Sequence, residues 1–260
     1  MEKFGNFANG IETGKRWINA DCEIHGPYVS RLYFRQTWSA CPACVEDDYK
    51  AKRASFERSE RAAALDRWAA TVGAAGVPAA YVSCTFESYR PTNDEAAQVL
   101  IAARGYSDNL SQAIERGQSA VFYGSKGTGK THLMAAIVTR ALADNHSALF
   151  LGASKIYRRI RDTWGRTARQ TESEVIEALA AVDLLAIDEI QGTTDQEKAW
   201  IFDVINDRYE NGRPTLISTN LDLRALTAAI TERAADRLRD RGGLVFRCAW
   251  ESYRGGGGGG

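Results

Sequence analysis

Short, mainly apolar runs recur through the second half of the chain: Ala120 to Tyr123, Ala148 to Leu151, Leu184 to Ile187, Thr215 to Ser218 and Leu244 to Trp250, the last broken only by Arg247. Runs of this length without polar alternation read as strands buried on both faces. Between them the apolar positions recur every three or four residues. That spacing predicts helices over His132 to Leu142, Ser154 to Trp164, Ser173 to Val182, Asp195 to Glu210 and Thr231 to Asp240. Asn211-Gly212 gives the fourth a left-handed stop, and Gly242-Gly243 ends the fifth. Upstream, Asp94 to Ala103 reads as a helix with Asn93 as its N-cap, and Leu110 to Arg116 as a shorter piece. Strand and helix alternate, so the fold class is α/β: a mostly parallel five-stranded sheet with helices on both faces.

The first eighty residues are patterned differently. Tyr28 to Trp38 is rich in aromatic and β-branched residues, which predicts a short β-rich segment. From Val45 to Thr71 glycine and proline vanish, which predicts one long helix. Its apolar seam is thin: Tyr49, Phe56 and Ala63 at seven-residue spacing, with Val45 and Trp68 near the ends, among interleaved acids and bases. Two readings stand level, a solvated helix and an arm that docks on a partner's helices. Thr71 to Ala80, with Gly73, Gly76 and Pro78, is a linker. The expected plan is a module over residues 1–45, a charged helix over 46–71, a linker over 72–82, a main domain over 83–254 and a flexible tail, Gly255 to Gly260.

Composition narrows the class only slightly. The 260 residues are 44% hydrophobic and 25% charged, with a formal net charge of zero. No global field favours nucleic acid, so any such binding needs a local patch. No apolar run reaches the roughly 20 residues that span a bilayer, and Met1 to Gly10 has no signal-peptide core. A cytoplasmic location is expected, where cysteines serve as metal ligands or free thiols rather than disulfides.

Chemistry enters at Gly124-Ser125-Lys126-Gly127-Thr128-Gly129-Lys130-Thr131, followed by His132. Strand, glycine loop and helix in that order make a phosphate-binding P-loop. Its glycines let successive N–H groups point at one anion, and the helix N-terminus adds its free donors. Lys130 is placed to reach the β- and γ-phosphates and Thr131 to hold Mg²⁺. Asp188-Glu189 ends the third predicted strand, at the edge where α/β sheets bind ligands. Asp188 would complete the Mg²⁺ site, and Glu189 would orient and deprotonate the attacking water. Asn220, at the tip of the fourth strand, would lie beside the γ-phosphate. Arg233 and Arg237 are four apart and share a helix face, from which one could reach a neighbouring subunit's triphosphate. The cofactors expected are ATP and Mg²⁺, and the activity is ATP hydrolysis.

Two further clusters stand outside that site. The helix from Ser154 to Trp164 carries Lys155, Arg158, Arg159 and Arg161 with Tyr157 and Trp164 interleaved. This is either a solvated basic face or a single-stranded DNA contact made through phosphates and stacked bases. Near the N-terminus, Cys22-x2-His25 and Cys41-x2-Cys44 are separated by fifteen residues. This is a zinc-ribbon-like pattern of two ligand-bearing turns, with no open coordination position and so structural rather than catalytic.

With these motifs laid out, the chain resembles the DnaC-type replicative helicase loaders, a clade of AAA+ ATPases that includes the IstB-type transposition helpers. The resemblance runs from about Ser83 to Arg254. It rests on Cys84-Thr85-Phe86-Glu87-Ser88-Tyr89-Arg90, the segment Phe122 to Leu133, Val182 to Ile190, Thr231 to Arg239 and Trp250-Glu251-Ser252-Tyr253-Arg254. It implies an AAA+ domain that binds ATP, self-assembles into a spiral and contacts single-stranded DNA, with an N-terminal arm that grips a hexameric DnaB-type replicative helicase. It implies slow, partner-stimulated ATP hydrolysis. It implies Walker roles for Lys130, Thr131, Asp188 and Glu189, the sensor 1 role for Asn220, and the arginine finger at Arg237 or Arg233. The cysteine and histidine knuckles depart from the helical N-terminal domains of the best-known loaders and look like those of phage or prophage-encoded ones. Helicase loading onto single-stranded DNA is the expected function. A transposase helper and a non-catalytic ATP-gated scaffold are the rivals.

Overall fold

The computed structural model describes residues 17–33, 37–72 and 77–253. The Met1 to Gly10 segment, Gly73, Gly76, Arg254 and the closing glycines lie outside them. The chain divides into two compact units, Met1–Glu60 and Arg61–Gly260.

In the first unit, β1 (Trp17–Cys22), β2 (Gly26–Tyr33) and β3 (Thr37–Trp38) form an antiparallel meander. Along β1 exposed and partly covered residues alternate, as a two-residue strand period with one wet face requires. The sequence pattern points to strand only from Tyr28, because β1 carries the polar, strand-disfavouring Asn19 and Asp21 among its six residues. A tight turn over Glu23 to His25 joins β1 to β2, and Gly26 holds a positive φ of 76° at its end. The helix α1 runs Pro42–Val72, three residues earlier than the composition suggested. Pro42 is well suited to a first helical position, because its fixed φ is already helical and no N–H is lost. The exposed apolar side chains of α1 include Val45, Tyr49 and Phe56.

In the second unit, after the end of α1 and a single 3-10 turn at Ala79–Tyr81, come α2 (Asp94–Asp108) and α3 (Leu110–Arg116). Asn93 caps α2 by accepting from Ala96 N. Five strands follow: β4 (Ala120–Tyr123), β5 (Ala148–Gly152), β6 (Leu184–Ile190), β7 (Thr215–Thr219) and β8 (Leu244–Arg247). They pair in the order β5-β6-β7-β4-β8, all parallel. The helices between them are α4 (Lys130–Ala143), α5 (Ala153–Asp162), α6 (Glu172–Ala181), α7 (Asp195–Glu210), α8 (Leu223–Ile230) and α9 (Glu232–Arg239).

Strand alternation splits the apolar side chains into two cores. Val121, Leu149, Leu185, Ile187 and Ile217 pack with α5 to α9. Phe122, Phe150, Ala186, Leu216 and Phe246 pack with α2, α3 and α4. Both faces are therefore covered, as a parallel sheet demands.

The last strand stops at Arg247 rather than running on to Trp250. Helix α8 went unrecognised because it has eight residues and a single cap, Asp222, which accepts from Ala225 N.

Candidate nucleotide site and metal centre

The P-loop leaves the end of β4 and turns on three glycines with positive φ: Gly124 at 126°, Gly127 at 76° and Gly129 at 89°. Close approach adds a second reason for glycine. A Cβ on Gly124 would sit 2.3 Å from Cys248 O, and one on Gly129 would sit 2.5 Å from the Tyr89 ring. Gly129 caps α4 with no side-chain hydrogen bond, so the first N–H groups of that helix are left for an anion.

Lys130 is buried. Its Nζ donates to Gly124 O at 3.0 Å, Ser125 O at 2.5 Å and Asn220 Oδ1 at 2.9 Å. Burial lowers its pKa, while Cys248, Asp188 and Glu189 pull the other way. Thr131 Oγ1 donates to Asp188 Oδ1 at 3.2 Å. Burial raises the pKa of Asp188, and hydrogen bonds from Ser218 and Thr131 counter it. Thr131 and Asp188 thus present two oxygens at one point, the donor set that Mg²⁺ takes beside phosphates.

The P-loop opens on a cavity of about 660 Å³, within the range of small-molecule sites. Lys126, His132, Glu189 and Asn220 also line it, as do residues of the Ser83 to Thr92 segment, Trp250 and Tyr253. Two stretches about 165 residues apart in sequence therefore wall one site. Tyr89 Oη donates to Thr128 O at 3.0 Å, and His132 Nε2 lies 2.8 Å from Thr85 O. From the other side Cys248 N donates to Tyr123 O at 2.7 Å, and Tyr253 N to Gly127 O at 3.0 Å. Tyr89 and Tyr253 were visible in the sequence only as parts of motifs, with no chemistry attached.

Arg233 and Arg237 do not line this cavity. Arg233 is exposed on α9. Arg237 is half-buried, its guanidinium 5.0 Å from the Phe202 ring and 5.6 Å from Tyr209. On α5, Lys155, Arg158 and Arg161 are exposed, while Arg159 donates to Gln170 Oε1. Tyr157 is buried against Trp200 with ring centroids 6.4 Å apart, so it belongs to the core and cannot stack on a base. The apolar face of α5 turned inward and took Tyr157 with it.

In the first unit, Cys22, His25, Cys41 and Cys44 bring one ligand atom each within 4.8 Å of the others. Cys22 Sγ lies 3.5 Å from Cys44 Sγ, and His25 Nδ1 lies 3.4 Å from Cys44 Sγ and 3.8 Å from Cys41 Sγ. A tetrahedron of Zn–S and Zn–N bonds of roughly 2.3 and 2.0 Å has edges of about 3.5–3.8 Å, so the cluster fits zinc. The second pair is not a free turn as expected. Cys41 precedes α1 and Cys44 lies in its first turn, since Pro42 starts the helix. Backbone N–H groups of Ile24 and His25 hold the Cys22 thiol down at about 6, and its hydrogen bond pushes Cys44 up to about 12. Asp47, unremarked in the sequence, has Oδ2 3.1 Å from His25 Nε2. A carboxylate on Nε2 fixes the tautomer that leaves Nδ1 free for metal.

The parallel sheet and the P-loop at its edge define an ATP-binding domain of the AAA+ class. The model of the IstB-like ATP binding proteins matches residues 82–254, and the chain belongs to that family. It is 32% identical over 202 residues to the replicative helicase loader DnaC of Buchnera aphidicola subsp. Schizaphis graminum, covering 77% of this chain and 80% of that one. To the replicative helicase loader DnaC of Escherichia coli K12 it is 33% identical over 205 residues, 78% and 81% of the two chains. Among solved structures, the DnaC helicase loader superposes with a TM-score of 0.57 at 19% identity, covering 66% of this chain and 99% of that one. AMPPCP-bound DnaA from Aquifex aeolicus gives 0.54 at 20% identity, over 64% and 50%.

Proposed function

We propose that this protein is an ATP-dependent loader that binds a hexameric replicative helicase and delivers it onto single-stranded DNA. The observation that carries this reading is its identity to replicative helicase loaders over more than three quarters of the chain. Within the cavity the P-loop amides and Lys130 would hold the triphosphate. Thr131 and Asp188 would hold Mg²⁺, which neutralises phosphate charge when bound. Glu189 orients the attacking water, and Asn220 reads the γ-phosphate. Arg233 or Arg237 acts on a neighbour's nucleotide in a spiral assembly. Hydrolysis is slow and stimulated by partners. Lys155, Arg158 and Arg161 contact DNA phosphates. Cys22, His25, Cys41 and Cys44 would hold zinc, which supplies a fold-fixing cross-link in a unit with little core of its own. That unit and α1 form the helicase-binding arm.

The test is co-purification with candidate replicative helicases, with and without residues 1–70, alongside ATP turnover. Binding that disappears with residues 1–70 supports the loader. The family match to IstB-like proteins favours a second reading, a transposase helper. Failure to bind any replicative helicase, with capture of a transposase instead, would shift the assignment there. Lys130→Ala is expected to abolish nucleotide binding, and Glu189→Gln to keep binding while stopping hydrolysis. Wild-type turnover in Glu189→Gln would remove Glu189 from its role, and tight binding without turnover in the wild type would leave an ATP-gated scaffold.

A further inference from the structure

Ser218 lies on β7 between Ile217 and Thr219 and is 2% exposed. Across the sheet, Ile187 pairs with Ile217 and Ile190 with Thr219. Two residues of β6, Asp188 and Glu189, therefore stand opposite Ser218 alone. One extra residue in a strand is a β-bulge, which interrupts the ladder and re-aims side chains. Glu189 takes the kink, with a φ of 58° that a non-glycine residue seldom adopts. Its N–H, displaced from the ladder, donates to Ser218 Oγ at 3.0 Å. The same hydroxyl donates its own proton to Asp188 Oδ1. Thr219 Oγ1 closes the far side of the bulge by donating to Ile190 O at 2.6 Å.

In a regular strand consecutive side chains point to opposite faces. Here Asp188 accepts from Thr131, which lines the nucleotide cavity, and Glu189 lines that cavity as well. We infer that Ser218 is the positioning residue for both acids, its one hydroxyl holding the bulge that turns Asp188 and Glu189 toward a single nucleotide. The chemistry asks for a hydroxyl. A serine has one proton to give and lone pairs to receive with, and this one gives to a carboxylate and receives from an amide. An apolar residue of equal size can do neither. The inference rests on the ATPase reading above and adds to it a residue outside the Walker and sensor positions.

Thr and Val have nearly the same shape and differ at one hydroxyl, so the full-length Ser218→Thr, Ser218→Val and Ser218→Ala variants separate chemistry from packing. Fluorescent ATP-analogue binding is measured in EDTA and during a Mg²⁺ titration, and ATP turnover is measured in parallel. Ser218→Ala and Ser218→Val should bind the analogue in EDTA within about twofold of wild type. They should need about tenfold more Mg²⁺ for half-saturation, the usual scale for losing a group that orients a metal ligand. Turnover should fall about tenfold or more. Ser218→Thr should stay within about threefold of wild type on both readouts. Ser218→Val indistinguishable from wild type in Mg²⁺ demand and turnover, or Ser218→Thr as impaired as Ser218→Val, would overturn the inference. If the wild type binds nucleotide without turning it over, the ATPase reading fails, and the Mg²⁺ titration still decides the role of Ser218.

Discussion

Lys130 and Asn220 are joined by a hydrogen bond of 2.9 Å, although ninety residues separate them in sequence. With Gly124 O and Ser125 O as the other acceptors, all three ammonium protons of Lys130 are directed at protein oxygens. A phosphate that draws on Lys130 must take the place of one of them, and Asn220 is the acceptor that arrives from another strand. Nucleotide arrival is thereby coupled to the tip of β7. Asn220→Asp would turn this contact into a charged pair and add a negative charge beside the triphosphate. Nucleotide affinity should fall by about tenfold or more, on the order of 1.4 kcal/mol. Asn220→Ala removes the competing acceptor, so affinity should stay within about threefold while turnover drops by at least about tenfold. Isothermal titration with a non-hydrolysable analogue, set against turnover, checks both. Unchanged affinity in Asn220→Asp would mean the contact does not compete with phosphate.

Zinc binding should depend on a residue that is not a ligand. Asp47 holds His25 through Nε2, and a carboxylate that orients a metal-binding histidine in this way typically contributes about 10–100-fold to metal affinity. In the full-length protein Asp47→Ala should retain one zinc at saturation but lose it to a competing chelator at about tenfold lower chelator concentration. Cys41→Ser should remove the zinc outright and expose residues 17–60 to limited proteolysis, leaving the nucleotide domain resistant. Equal zinc retention by Asp47→Ala and wild type would reduce the Asp47 contact to a surface pairing.

Much of the second unit was legible because its signals are local. The strand-loop-helix around Gly124 to Thr131 needs only a few consecutive residues, and so does the acid pair after Leu184 to Ile187. The clustered Cys22, His25, Cys41 and Cys44 were equally local. What stayed hidden depends on pairing across the sheet or on packing. Ser218 read as the end of an apolar strand, because nothing in β7 reveals that β6 carries one residue more. Tyr157 reads in sequence as a candidate base-stacking residue, and only the packing of α5's apolar face makes it core. Tyr89 gains its meaning from Gly129, forty residues away, which leaves room for its ring. Asp47 was one acid among three in the run Glu46-Asp47-Asp48, and only the helix turn from Cys44 aims it at His25.

The basic face of α5 gives an ionic-strength prediction that distinguishes its four cations. Lys155, Arg158 and Arg161 are exposed, whereas Arg159 is tied to Gln170. Each phosphate neutralised on a single strand contributes about 0.7 to the slope of log affinity against log salt. Replacing Arg158 and Arg161 together by Ala should flatten that slope by about 1.4 and weaken single-strand binding at low salt. Arg159→Ala should leave the slope unchanged and lower thermal stability instead. Fluorescence anisotropy of a labelled oligonucleotide across a salt series reads both. An unaltered slope in the double variant would leave α5 a solvated surface.

Arg208 poses the opposite case, a cation with no solvent at all. It is fully buried on α7, and its guanidinium faces six acceptors: Leu179 O, Ala180 O, Val182 O, Asp183 O, Pro214 O and Thr215 Oγ1. The first of these are carbonyls at the C-terminal end of α6, which have no partner within the helix and lie at its negative pole. Burial lowers the arginine's pKa to about 9, and it remains charged at neutral pH. Arg208→Met would keep the bulk and leave those carbonyls unpaired in a dry site. Losing one side of such a buried polar network costs about 3 kcal/mol or more. For a unit of this size that corresponds to a fall in Tm of roughly 6–12 °C. Arg208→Lys should rescue only part of it, since three donors on a flexible stem cannot reproduce five in a planar fork. Arg208 anchors the start of β6, whereas Asp188 and Glu189 lie near its end. Nucleotide affinity of the folded variant at low temperature should therefore stay within about twofold of wild type. Circular-dichroism melting curves and analogue titrations below the transition test the two halves separately. A variant that melts like the wild type would show that α6 and β6 do not need the arginine to satisfy their carbonyls.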